Sequence, residues 1–216
     1  MDVPTWLFYI IAAVVGLELG GLASIFIQRW IDEKPILKPG RSRCPSCEHH
    51  LSWRDTIPVL SYFLLGGRCR HCDTSIGGQY MLVEISCLAW ALALAHHFGP
   101  TLSWGVHVVL GCLLIAGSFI DFETFLLPNR ITLGGAVLAL AASFFLPEPG
   151  WQDALLGAVA GGVFFWVLQQ GYRLWRKEEG LGTGDVKLMY MIGAMTGLTG
   201  LPLTILAAAV TSAAAS

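Results

Sequence analysis

Charge is what this sequence has least of. Asp, Glu, Lys and Arg make up 13% of its 216 residues, about half the roughly 25% of an ordinary soluble domain. A water-soluble globular chain is excluded on that ground. The charges that exist nearly cancel, to a formal net charge of −2, so no nucleic-acid partner is expected. Low-complexity tracts and internal repeats are also missing. The N-terminus, Met1-Asp2-Val3-Pro4, lacks the basic stretch of a cleavable signal peptide, and the apolar run behind it is too long for one. It reads as a first membrane helix.

What is present is apolar. Hydrophobic residues are 55% of the chain and the mean hydropathy is +0.63. Stretches of about 17–25 apolar residues are the length of membrane helices. They occur at 6–28, 81–97, 104–120, 125–146 and 151–171, with a sixth at 186–200. Residues 201–216 start a seventh that stops after 16 residues, so C-terminal spans are expected to be missing. The expected fold is an all-α polytopic membrane protein of six to seven transmembrane helices. Its expected parts are the first helix (1–29), a small cytosolic loop domain (30–80) and a membrane-embedded core (81–216).

The basic residues orient it. Eight of the 13 Lys and Arg lie between Arg29 and Arg70; Arg130 follows the third span, and Arg173, Arg176, Lys177 and Lys187 flank the junction of the fifth and sixth. The other connections, around 98–103 and 147–150, have none. All 13 thus fall on one side of a consistent topology, which the positive-inside rule makes the cytoplasm, with the N-terminus outside. Trp6, Trp104 and Trp151 mark the outer interface, and Trp30 and Trp175 the inner one.

The loop at 30–80 carries Cys44-Pro45-Ser46-Cys47 and Cys69-Arg70-His71-Cys72. Two C-x-x-C pairs separated by 21 residues have the spacing of a zinc ribbon, in which four thiolates close a tetrahedral site. A cytoplasmic location disfavours disulfides, and so small a segment gains folding energy from a metal. Four reduced thiols or a redox dithiol are the plainer alternatives. His49, His50 and His71 are substitute ligands of lower rank. Cys87 and Cys112 fall inside spans and read as packing residues.

Two acids stand at span edges. Asp121 ends the third span, and Asp185 follows the glycine pair of Gly182-Thr183-Gly184 and opens the sixth. Carboxylates beside hydrocarbon are costly unless used or paired. The topology sets both at the cytoplasmic face, 64 residues apart in sequence. Gly182 and Gly184 permit a positive-φ turn or close backbone approach, which aims Asp185; an ordinary interfacial loop is the alternative. Glu123 competes with Asp121 but faces elsewhere if the helix continues. Two adjacent carboxylates share a proton. The ionised one can then deprotonate an attacking water while the protonated one polarises a peptide carbonyl.

These residues carry a resemblance. Asp121 with Leu127-Pro128, and Gly182-Thr183-Gly184-Asp185-Val186-Lys187-Leu188, resemble the catalytic segments of the prepilin peptidases, the type IV leader peptidases of the G-x-G-D aspartic protease class. Arg43-Cys44-Pro45-Ser46-Cys47, Asp55-Thr56-Ile57-Pro58, Gly67-Arg68-Cys69-Arg70-His71-Cys72 and Glu84 are similar to the same family's cysteine loop. The resemblance runs from about Gly20 to Gly193. It implies a bifunctional inner-membrane enzyme that removes the leader of prepilins or pseudopilins at the cytoplasmic face. That enzyme then methylates the new N-terminus with S-adenosylmethionine. It also implies Asp121 and Asp185 as the catalytic pair, and Cys44, Cys47, Cys69 and Cys72 as a metal-type motif, expected to hold structural zinc. The implied partners are prepilin or pseudopilin substrates and membrane lipid. The chain departs from the family where Pro-Asp is usual (here Pro128-Asn129), at Gly21-Leu22-Ala23-Ser24-Ile25-Phe26, and at Tyr80-Met81. A peptidase without methyl transfer and a non-enzymatic scaffold with a partner-binding zinc ribbon are the rival readings.

Several polar residues fall outside these motifs. Glu18, within the first span, is expected to be a neutral or paired carboxyl, with contact to a substrate amine as the alternative. Glu84 is expected to cap the second span's N-terminus, with a part in methyl transfer as its alternative. Lys187 is expected at the headgroup interface. His107 is read as packing, and Met189, Met191 and Met195 as core.

Overall fold

The computed structural model describes residues 4–33, 35, 44, 46–47, 49–50, 52, 57–177 and 182–215. Arg43, Pro45, Asp55 and Thr56, which carry part of the resemblance, lie outside the described residues, as do Lys34, Lys38, Arg41 and Arg54. Seven helices occupy the described residues: α1 (Thr5–Ile31), α2 (Leu60–Leu64), α3 (Gly78–Phe98), α4 (Leu102–Thr124), α5 (Asn129–Ser143), α6 (Trp151–Arg176) and α7 (Thr183–Ala215). No strand occurs among the described residues, and an isolated antiparallel bridge joins Arg68 to Ser75. The chain divides into two compact units, Met1–Phe125 and Leu126–Ser216.

In the first unit α1 packs against α3 and α4. Its buried face reads Phe8, Ala12, Gly16, Gly20, Ala23, Ser24 and Ile27; that of α3 reads Val83, Cys87, Ala91 and Ala95. Both repeat about every four residues, so one narrow stripe of small side chains meets another. Small residues let helices approach where lipid removes the hydrophobic drive for association. The fit is tight: a Cβ on Gly16 would stand 2.8 Å from the Ala91 Cβ. Toward the other end Phe8 meets Trp104 edge to face at 5.1 Å. The Trp104 indole donates to the Ala91 carbonyl at 3.1 Å, and the Trp90 indole donates to that of His107 at 3.1 Å. His107 itself stacks on Phe98 at 4.9 Å, which is the packing role expected of it. Cys87 and Cys112 are buried between the helices of this unit, as expected.

In the second unit α7 packs on α6 and α5. Ala154, Gly157, Ala158, Gly161 and Gly162 form the buried face of α6. Gly157 and Gly193 touch so closely that a side chain on either would strike the other's carbonyl oxygen. Met189 and Met191 are buried, as core residues should be.

The chain has five helices long and apolar enough to cross a bilayer among the described residues: α1, α3, α4, α6 and α7. This is a multi-pass membrane architecture. Large apolar side chains stand exposed along these helices, Leu22, Leu82, Val163 and Leu203 among them, as lipid-facing surfaces require. The stretches read as fourth, sixth and seventh spans differ in detail. The expected 125–146 span holds only the 15-residue α5, roughly 22 Å long against a hydrocarbon layer of about 30 Å. Phe125 takes a left-handed conformation (φ 54°), and Pro128 precedes the helix, so the helix starts late. The sixth and seventh stretches form α7, which breaks at Gly197 (φ 70°) rather than at 200. Asp153 of α6 caps the second half, accepting from the Leu198 N–H at 3.2 Å and the Thr199 hydroxyl at 3.3 Å. A side chain borrowed from a neighbouring helix thereby satisfies donors that a break leaves open.

Candidate functional site

The cysteine loop forms two knuckles of one design. The Cys44 N–H donates to the His49 carbonyl at 3.0 Å, and the Cys69 N–H donates to that of Thr74 at 2.9 Å; each bond closes a loop of the same length. In the second knuckle Asp73 turns through φ 54° and donates back to the Cys69 carbonyl at 3.0 Å. The sulfur atoms of Cys44, Cys47, Cys69 and Cys72 all lie within 4.8 Å of one another. Cys44 and Cys72 are 3.7 Å apart. A tetrahedral site with zinc–sulfur bonds of about 2.3 Å places its sulfurs roughly 3.8 Å apart, so the four donors fit such an ion. Cys44 and Cys69 are buried, whereas Cys47 and Cys72 face outward. The Thr74 hydroxyl and backbone N–H bring the Cys72 thiol down to about 6. Backbone N–H groups of Cys47 and Ser46 hold the Cys44 thiol below its ordinary value. Both shifts favour the thiolate that binds metal, while burial and the neighbouring thiols Cys72, Cys44 and Cys69 push Cys47 up to about 11. The His49 and His71 rings meet at a tilt of 37°, their centroids 3.6 Å apart, outside the four-sulfur set.

Asp121 lies in the last turn of α4 and is exposed. Its carbonyl accepts from the Phe125 N–H at 2.8 Å, which ends the helix. Because α4 runs on to Thr124, Glu123 points about 200° around the helix from Asp121, as expected of a competitor that faces elsewhere.

Asp185 sits half-buried in the first turn of α7, where a helix N-terminus favours an anion. Its N–H donates to the Gly182 carbonyl at 3.2 Å. Its carboxylate leans over Gly182, where a Cβ would come within 3.3 Å of Oδ2. Gly184 presses on Leu127, with room of only 3.0 Å for a Cβ. Neither glycine has positive φ. Of the two roles expected of the glycines, a positive-φ turn and close approach, the structure has the second, at a helix start. Lys187, expected at headgroups, donates to Asn129 Oδ1 at 2.8 Å. The bond joins the start of α7 to the start of α5. Asn129 stands where the resemblance has Asp, and it keeps an acceptor for that lysine.

Asp121 belongs to the first unit and Asp185 to the second, so each acid is placed within its own unit. Glu84 is relocated. Because α3 begins at Gly78, Glu84 lies in the second turn and cannot cap it. Its Oε2 instead accepts from the Val59 N–H at 2.6 Å. Val59 has φ 61°, an uncommon conformation for a β-branched residue. The loop leading into α2 is thus tied to α3. No spacing in the sequence announces this bond, since its partners are 25 residues apart. Glu18 is exposed on α1.

Two family models match the chain. The bacterial peptidase A24 N-terminal domain matches residues 14–98, and the type IV leader peptidase family matches residues 108–216. A Burkholderia pseudomallei (strain K96243) protein named prepilin leader peptidase/N-methyltransferase is 34% identical, over 98% of this chain and 76% of the relative. Proteins of the same name from Pseudomonas aeruginosa PAO1 and Myxococcus xanthus DK1622 are similar too. The first is 40% identical over 76% of this chain and 57% of its own length; the second is 36% identical over 87% and 56%. No solved structure matches the chain.

Proposed function

We infer the activity from one premise: this chain belongs to the type IV leader peptidase family. It is a membrane aspartic endopeptidase that removes the leader peptide from type IV prepilins or pseudopilins, then methylates the new N-terminal amine. The observation that carries this reading is the family match over residues 108–216, which contains both Asp121 and Asp185. Those two residues are the catalytic pair.

The chemistry needs one ionised and one protonated carboxylate. The ionised acid takes a proton from water as its oxygen attacks the scissile carbonyl. The protonated acid hydrogen-bonds the carbonyl oxygen, stabilises the charge that develops there, and returns a proton to the leaving amine. Two acids that approach closely share a single proton, so neither needs a Ser or Cys nucleophile. Gly182 and Gly184 support Asp185: one leaves space for its carboxylate, and the other lets α7 start against Leu127.

The 30–80 loop faces the cytosol with the basic residues around it, and cleavage takes place at that membrane face of the bacterial inner membrane. The N-terminus is periplasmic. Cys44, Cys47, Cys69 and Cys72 hold a structural zinc ion that ties the two knuckles together and supplies folding energy to a loop with little apolar core. S-adenosylmethionine supplies the methyl group.

Co-expression with a prepilin tests the pair. Asp121→Asn and Asp185→Asn are each expected to abolish leader removal on a gel while the protein remains inserted. Normal processing by either variant rejects the assignment. The mass of the processed pilin reports methylation independently, through the presence or absence of one methyl group.

A further inference from the structure

The first unit holds a cavity of about 560 Å³ between the cysteine knuckles, α2, and the facing surfaces of α1 and α3. Its size lies in the range of small-molecule sites, about 300–1,000 Å³. Glu18 and Glu84 both line it. These acids had separate expectations in the sequence, and the packing of α1 on α3 brings them to one cavity. Along α1 the lining runs from Glu18 to Gln28, about 15 Å of helix. Two tyrosines, Tyr62 and Tyr80, also line the cavity and provide faces or edges for a flat ring. With Arg70 on the knuckle side, the described lining carries two carboxylates against one guanidinium. That balance suits a ligand with a net positive centre.

We propose that this cavity is the methyl-donor site, with Glu18 and Glu84 as the carboxylates facing the donor's positive charge. The assignment rests on the N-methylation reading above. The donor set fits the group: S-adenosylmethionine has a sulfonium cation and an ammonium for the acids, and an aromatic base for the tyrosines. The cavity also lies wholly within residues 18–84, inside the segment matched by the A24 N-terminal domain. The Val59–Glu84 bond sets the cavity's shape by fastening the α2 segment to α3.

The charge matters because transfer removes it. The amine nitrogen forms the new N–C bond with its lone pair, and the electrons of the broken C–S bond go to sulfur. One proton passes from nitrogen to water overall. The sulfur product is a neutral thioether, which the carboxylates hold less well. A cation-selective cavity thus binds the donor and releases the spent form.

The test is equilibrium binding by calorimetry, on the full chain in lipid nanodiscs. S-adenosylmethionine and S-adenosylhomocysteine are titrated in parallel. Wild type is expected to bind the sulfonium form more tightly than the thioether. Glu18→Gln is expected to weaken the sulfonium form roughly tenfold, the scale of one charged contact, with the thioether nearly unchanged. Glu18→Asp should recover part of the preference. Ser61→Trp, which fills the cavity from α2, should abolish binding of both ligands while the thermal midpoint is kept. Wild-type binding that none of these substitutions alters overturns the cavity assignment and leaves N-methylation standing. A wild type that binds neither ligand overturns the N-methylation reading, and the assignment with it.

Discussion

The two units handle polar groups in opposite ways. In the first, polar side chains from distant segments converge: two knuckles bring four sulfurs together, and Glu84 reaches across to the strained Val59 N–H. In the second, glycines seat a neighbouring backbone or side chain, Gly157 against Gly193, Gly135 against Met191 and Gly162 against Tyr190, and the few polar side chains finish helix ends. Asp153 caps the broken half of α7, and Lys187 joins α7 to Asn129 at the start of α5. The contrast follows from chemistry. A metal and an internal carboxylate can organise a loop that has little apolar core. Helices in lipid gain nothing from burying more hydrocarbon, so they gain from close contact instead.

Substitutions can break this contrast on each side. The largest structural effect is expected at Gly193. Gly193→Leu drives a side chain into the Gly157 backbone, and overpacking of that kind costs about 3 kcal/mol. Thermal unfolding in detergent should show a much lowered midpoint, and an unchanged midpoint would reject backbone contact as the basis of the second unit. Next comes the metal centre. Wild type is expected to carry one zinc per chain by elemental analysis, and Cys44→Ser to lose it. The loop should then be cut by added protease while α6 and α7 stay protected. A folded, metal-free wild type rejects the zinc assignment. The smallest effect separates a helix-end contact from catalysis. Asn129→Asp should convert the Lys187 hydrogen bond into an ion pair and change stability by less than about 1 kcal/mol, with leader removal intact. Loss of cleavage in that variant would show that Asn129 does more than hold α7 to α5.

Some of this was legible in the residues alone. The apolar stretches mark every helix among the described residues except the short α2, because a hydrocarbon solvent demands a run of known length. The C-x-x-C spacing announced a four-sulfur set, because a knuckle is a local turn and needs no distant partner. Other features left no mark. Glu84 looked like a cap because its span seemed to begin at Met81, yet α3 starts at Gly78. Lys187 looked interfacial because its acceptor is 58 residues away. The glycines beside Asp185 leave a positive-φ turn and close approach both open in the sequence, and only the packing shows that they accommodate a neighbouring residue and a carboxylate.

The sequence by itself determined that this is a helical membrane protein, that its loop cysteines form two C-x-x-C pairs, and which family it resembles. These depend on composition and local spacing, and both are read along the chain. Only tertiary structure decided that Glu18 and Glu84 line one cavity, that Gly157 and Gly193 touch, and that Asp153 repairs a break in α7. Such contacts depend on which faces of two helices meet and how closely. A sequence carries that information only in small residues whose partners it does not name.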